Sequence, residues 1–183
     1  MTKAADAGLL AGDPVIFASN TLTIAVAPGN PMKITSLKDI ARPGISVVIC
    51  AAAVPCGSAT QKVEQAADVR LDPVSEEASV ADVLNKVVTG QADAGLVYLT
   101  DVQGAGDTVT GVTFPEAAGA VNTYPIATLR QAGNPGLAKQ FVDMVTGSTG
   151  GQILAEAGVI MGCKEATVSW HVHEAKKTLR GLL

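Results

Sequence analysis

The sequence is poor in aromatic residues, with three Phe, two Tyr and one Trp in 183 positions, so its core has to be built from Ala, Val, Ile and Leu. Charge is sparse too, at 16% of residues and a net of −4, which argues against bulk binding to nucleic acid. The two histidines, His171 and His173, stand near the C-terminus, and Cys50, Cys56 and Cys163 form neither a CxxC pair nor a zinc spacing, so no metal site is expected. No apolar run approaches the roughly 20 residues of a membrane helix. The start Met1-Thr2-Lys3-Ala4 does not read as a leader, so an exported parent would have lost its signal peptide or been cut. Nothing combines a nucleophile, a base and an orienting group, so an enzyme is not expected.

What remains is 48% apolar residues in an alternating pattern. Helices are expected over residues 2–11, from Ser58 through Ala66, from Ser79 to Val87, over 137–145 and over 152–157. Strands are expected at 15–18, 21–27, 45–50, 92–98, 109–114 and 125–129, with 45–50 apolar enough to be buried on both faces. The alternation points to an α/β chain. Cys50 and Cys56 flank Ala51-Ala52-Ala53-Val54-Pro55, and the spacing leaves both a loop disulfide and two free thiols open.

One stretch carries chemistry. In Val54-Pro55-Cys56-Gly57-Ser58, a strand turns through glycine into a helix start, which directs unpaired backbone N–H groups at one point, a setting that suits an anion. Read alone, it is first of all a plain strand-to-helix connection.

Its company narrows the reading. Phe17-Ala18-Ser19-Asn20-Thr21-Leu22, Pro28-Gly29-Asn30-Pro31, Asp93-Ala94-Gly95-Leu96-Val97-Tyr98-Leu99-Thr100-Asp101, Thr113-Phe114-Pro115-Glu116, Asn122-Thr123-Tyr124-Pro125 and Ile153-Leu154-Ala155-Glu156-Ala157-Gly158 together resemble molybdate-binding proteins of ABC importers, over about residues 3–159. The resemblance implies a periplasmic-binding-protein type II-like fold: two lobes joined by crossing strands, the first incomplete, closing on a dehydrated oxyanion held by neutral donors. It implies residues 1–35 and 121–159 as the partial first lobe and 36–120 as the second. It places the backbone N–H of Cys56, the backbone N–H of Val97 and the phenol of Tyr124 around molybdate or tungstate, with no cofactor. It also implies a membrane permease as partner and a periplasmic or cell-surface location. Two serine-containing donor loops of the family fall before residue 1, so weakened binding and self-association through the first lobe are expected. A receptor for another oxyanion such as sulfate is the nearest alternative.

Residues 160–183 differ from the rest. Lys164, Lys176, Lys177 and Arg180 against Glu165 and Glu174 give this tail +2, which leaves −6 of the chain's −4 to residues 1–159. The tail resembles the end of region 4 of extracytoplasmic-function sigma factors, which implies a recognition helix with Thr167, Ser169 and Trp170 toward DNA. A transcription-related hybrid is thus a second alternative. The helices that should hold such a reader are not in the sequence before it, so DNA binding is not expected.

Overall fold

A computed structural model describes residues 1–156. Residues 157–183, with Thr167, Ser169 and Trp170 of the expected recognition helix, lie outside the described residues. The elements in order are α1 (Thr2–Asp6), β1 (Val15–Asn20), β2 (Leu22–Val26), α2 (Leu37–Ile40), β3 (Val47–Cys50), α3 (Pro55–Ala67), β4 (Ser75–Glu77) and α4 (Val80–Val88). They continue with β5 (Ala94–Tyr98), α5 (Leu99–Ala105), β6 (Thr110–Val112), β7 (Asn122–Ile126), α6 (Pro135–Thr146) and α7 (Ser148–Glu156).

The described residues form two units, residues 20–122 and residues 1–19 with 123–156. The expected boundary at residue 35 therefore moves back to Asn20. The reason is β2, which lies inside the sheet of the larger unit.

That sheet has five strands in the order β4-β3-β5-β2-β6. β3 runs parallel to both β4 and β5, while β2 runs antiparallel to β5 and β6. Every residue of β2, β3 and β5 is buried, as their near-continuous apolar runs require of inner strands. α4 offers Val83 and Val87, one turn apart and both buried, to this sheet. They press so close to Gly95 that a Cβ there would stand 2.8 Å from Val83 Cγ1. Asp93 ties the start of β5 to that of β3: its Oδ2 accepts the Ser46 N–H at 2.8 Å and the Ser46 hydroxyl at 2.7 Å, and its own N–H donates to Ser46 Oγ at 3.0 Å.

In the smaller unit β1 and β7 make a two-stranded sheet. Leu10 bridges Leu129, and Arg130 Nε donates to the Leu10 carbonyl at 2.7 Å. The strand expected at 125–129 is thus shifted to 122–126, with only the bridge at 129. Pro125 is tolerated because a two-stranded ribbon leaves one side of each strand without a ladder. α6 starts under Asn134 and buries no residue, leaving Leu137 61% and Phe141 49% exposed.

Candidate functional site at the carboxyl edge of the parallel strands

In an open α/β sheet the carboxyl ends of parallel strands gather helix N-termini, and ligands bind there. Here the strands are β4, β3 and β5, and α3 follows β3 while α4 follows β4.

The chain leaves β3 at Cys50 and turns sharply. Ala51 N–H donates to the Glu77 carbonyl at 2.8 Å, and Val54 N–H donates to the Ala51 carbonyl at 3.1 Å. α3 begins with Val54 at its N-cap and Pro55 in its first turn, and no side chain caps it. The first intrahelical donor is Ser58, whose N–H reaches the Val54 carbonyl at 3.0 Å. Helix geometry therefore leaves the Cys56 and Gly57 amides without an intrahelical acceptor, since Pro55 has no N–H. A disulfide joins Cys50 to Cys56 with Cα atoms 5.7 Å apart, which decides between the two states the spacing had left open. Gly57 is obligatory for a packing reason, because a Cβ would stand 2.0 Å from the Ala51 carbonyl oxygen.

α4 starts beside this turn in the sheet order. Ser79 caps it, accepting from the Asp82 N–H at 3.2 Å and donating to Asp82 Oδ2 at 2.6 Å. The Val80 and Ala81 amides are the first-turn donors that this cap does not engage. Lys86 clips α4 to β4 by an ion pair with Glu77 and a bond to Ser75 Oγ at 2.9 Å, and the Lys86 ammonium holds the Glu77 carboxyl below its ordinary range.

Val97 does not present its amide to this edge. Leu99 N–H donates to the Thr21 carbonyl, and Ala94 N–H donates to the Ser46 carbonyl. Alternation along β5 then turns the amides of residues 95, 97 and 99 toward β2 and those of 94, 96 and 98 toward β3. Val97 faces Thr23 across the antiparallel ladder and is fully buried, so its N–H is spent inside the sheet.

The next residue, Tyr98, ends the strand. Its side chain projects on the face opposite Gly95, away from α4, and its hydroxyl oxygen accepts from Asn122 Nδ2. Asn122 follows the 3-10 turn Pro115–Ala120, which packs against α3, so phenol and α3 share a face. The Tyr98 N–H donates to Asp101 Oδ2 at 2.8 Å, and burial pushes the Asp101 carboxyl above its ordinary value against the pull of that bond. Tyr124 lies in β7 of the other unit, 38% exposed.

The donors at this edge are thus backbone amides, neutral groups able to match an oxyanion by geometry, with the Tyr98 phenol nearby as the acceptor of the Asn122 bond. An open groove of about 870 Å³ on the flank of α3 is a poorer candidate despite its volume, because Glu64, Asp68, Asp72 and Glu76 line it beside Arg70. The sequence held one further signal: the strand-ending position of Tyr98 puts it where the sheet stops.

Residues 1–160 match a family described as bacterial extracellular solute-binding protein. The molybdate-binding proteins ModA of Mycobacterium tuberculosis and Mycobacterium bovis are 57% identical over 158 residues, 86% of this chain and 60% of theirs. The chain thus spans about three-fifths of the length of these relatives. Among solved structures, the substrate-binding domain of a molybdenum ABC transporter from Clostridium difficile superposes with a TM-score of 0.66 at 22% identity, over 82% of this chain and 67% of its own. The periplasmic molybdate-binding protein of Azotobacter vinelandii gives 0.64 at 21%, over 88% and 74%. The sulfate-binding protein SubI of Mycobacterium tuberculosis gives 0.64 at 20%, over 97% and 69%. These likenesses carry the fold.

Proposed function

This chain belongs to the bacterial extracellular solute-binding protein family, and from that membership we propose that it takes part in capturing molybdate, or its congener tungstate, as the receptor of an ABC importer. The observation that carries the reading is the pair of helix starts, α3 and α4, at one edge of the parallel strands, with the Tyr98 phenol on the α3 face. Each helix end adds about 0.3–1 kcal/mol of favourable field for an anion, and each charge-assisted hydrogen bond contributes about 1.5–3 kcal/mol. Neutral donors suit a receptor, which has to release its cargo when it opens.

In this reading the Cys56 and Gly57 amides, the Val80 and Ala81 amides and the Tyr98 hydroxyl are the contacts that residues 20–122 supply. The expected contact at Val97 passes to its neighbour Tyr98. The protein acts outside the cytoplasmic membrane by binding and release, without making or breaking covalent bonds, and hands its cargo to a membrane permease. The exposed Leu137 and Phe141 support the expectation that the smaller unit associates with other polypeptide.

Amide-resolved nuclear magnetic resonance with molybdate, tungstate and sulfate tests the proposal. Molybdate and tungstate should shift the Cys56, Gly57, Val80 and Ala81 resonances alike, and sulfate at least tenfold more weakly. Equal shifts with sulfate would favour a general oxyanion receptor. Silence at these amides toward all three would defeat the reading.

A further inference from the structure

We infer that the Cys50–Cys56 disulfide is a positioning device that fixes the start of α3 while keeping its amides open to an anion; the second half of this inference rests on the oxyanion reading above. Among the described residues, three other helices begin with a hydrogen bond from the third residue's amide to a Ser or Asn side-chain oxygen. Ser36 accepts from the Asp39 N–H at 3.3 Å, Ser79 from the Asp82 N–H at 3.2 Å and Asn134 from the Leu137 N–H at 3.1 Å. In each case the cap fixes the helix start and occupies the amide of the third residue after it.

At α3 the same residue is Gly57, one of the two donors that face outward from the helix start. A serine or aspartate at position 54 would claim that donor. Val54, with extended backbone angles suited to a cap, offers no oxygen, so the first turn lacks the usual anchor. The covalent bond supplies it from the side chain of Cys56 and consumes no amide. Both ends are buried, Cys50 at 1% and Cys56 at 4% exposure, so the tether sits beneath the turn. The loop it closes contains three consecutive alanines, whose side chains bring no hydrogen bonds of their own. Gly57 against the Ala51 carbonyl makes the position of the amides depend on that loop, so a loose loop would move the donors.

The experiment has three parts. With three cysteines in the sequence, thiol titration of the unfolded, unreduced protein should give one thiol per chain, and three would overturn the inference. Hydrogen exchange without ligand should then show the amides of residues 51–58 exchanging at least tenfold faster in Cys50→Ala/Cys56→Ala than in the parent, with β5 unchanged. Equal exchange would overturn the inference. Native reduction of the parent with a phosphine gives the same comparison should the double variant fail to fold.

Adding Val54→Ser to the double variant separates positioning from bulk stability. Slow exchange should return, while affinity for molybdate stays at least fivefold below that of the parent. Full recovery of both would overturn the inference, since a conventional cap would then serve as well. If exchange differs as expected but no variant, parent included, responds to molybdate, the tether stands and the oxyanion reading falls.

Discussion

Asn122 donates its side-chain amide to the hydroxyl oxygen of Tyr98, joining the last residue of β5 to the first residue of β7. The chain passes between its two units on the C-terminal side of this bond, between Asn122 and Thr123. The proposed phenol donor is therefore held by the residue at which the chain leaves the larger unit.

Replacing Tyr98 by Phe leaves the Asn122 amide without its acceptor. The expected loss is about 1 kcal/mol of stability, read by urea denaturation, together with at least tenfold weaker molybdate binding. Asn122→Ala should cost similar stability but less affinity. Equal affinity for Tyr98→Phe and the parent would remove Tyr98 from the site.

Gly57→Ala puts a methyl group 2.0 Å from a backbone oxygen that cannot rotate away. A loss of about 1–3 kcal/mol, and occasionally more, is expected from such overpacking. Gly104, within α5, has nothing within 4 Å of its would-be Cβ, so Gly104→Ala should be stabilising by about 0.5–1 kcal/mol. Similar melting temperatures for the two variants would contradict the packing at Gly57.

Asp93→Ala should remove about 1–3 kcal/mol, because the Ser46 N–H and hydroxyl lose their acceptor inside the junction of β3 and β5. Asp93→Asn, which keeps one acceptor oxygen, should cost less. The ordering of the two midpoints in denaturant checks this.

Two carboxyls should respond to pH with opposite sign. Burial raises Asp101 above its unfolded value, so its contribution is fully present below the unfolded pKa and is lost as pH rises through the folded one. Melting of Asp101→Asn relative to the parent should therefore improve as pH is raised from about 3 to about 7. Asp39 is lowered, first by the Thr35 N–H and then by the Thr35 hydroxyl, so its contribution is present above the unfolded value and lost as pH falls through the folded one. Asp39→Asn should accordingly flatten acid destabilisation. A pH-independent difference in either series would contradict the assignment.

Much of this was legible from residue patterns. The apolar runs of β2, β3 and β5, the cap of α4 and the α3 start stood out, since each depends on neighbours close in sequence. β4 did not, because Ser75-Glu76-Glu77 has no strand pattern and is extended through pairing with β3. α1 stops at Asp6, well short of the expected residue 11, and α5 went unnoticed. The proposed site depends on both local and distant sequence. Cys56 follows from a local turn, whereas the direction of the Val97 amide is set by register against β2, some seventy positions away and silent in β5 itself.

The place of β2 also sets a timetable for synthesis. Its five buried residues wait for β5 and β6, made long afterwards, before either side is covered. At about 5–20 residues per second, a ribosome needs several seconds to add the roughly seventy residues between them. Throughout that interval Leu22, Thr23, Ile24, Ala25 and Val26 lack the partner strands that bury them in the folded protein. This gives chaperones a defined segment to hold, and makes translation speed across residues 27–98 a determinant of yield.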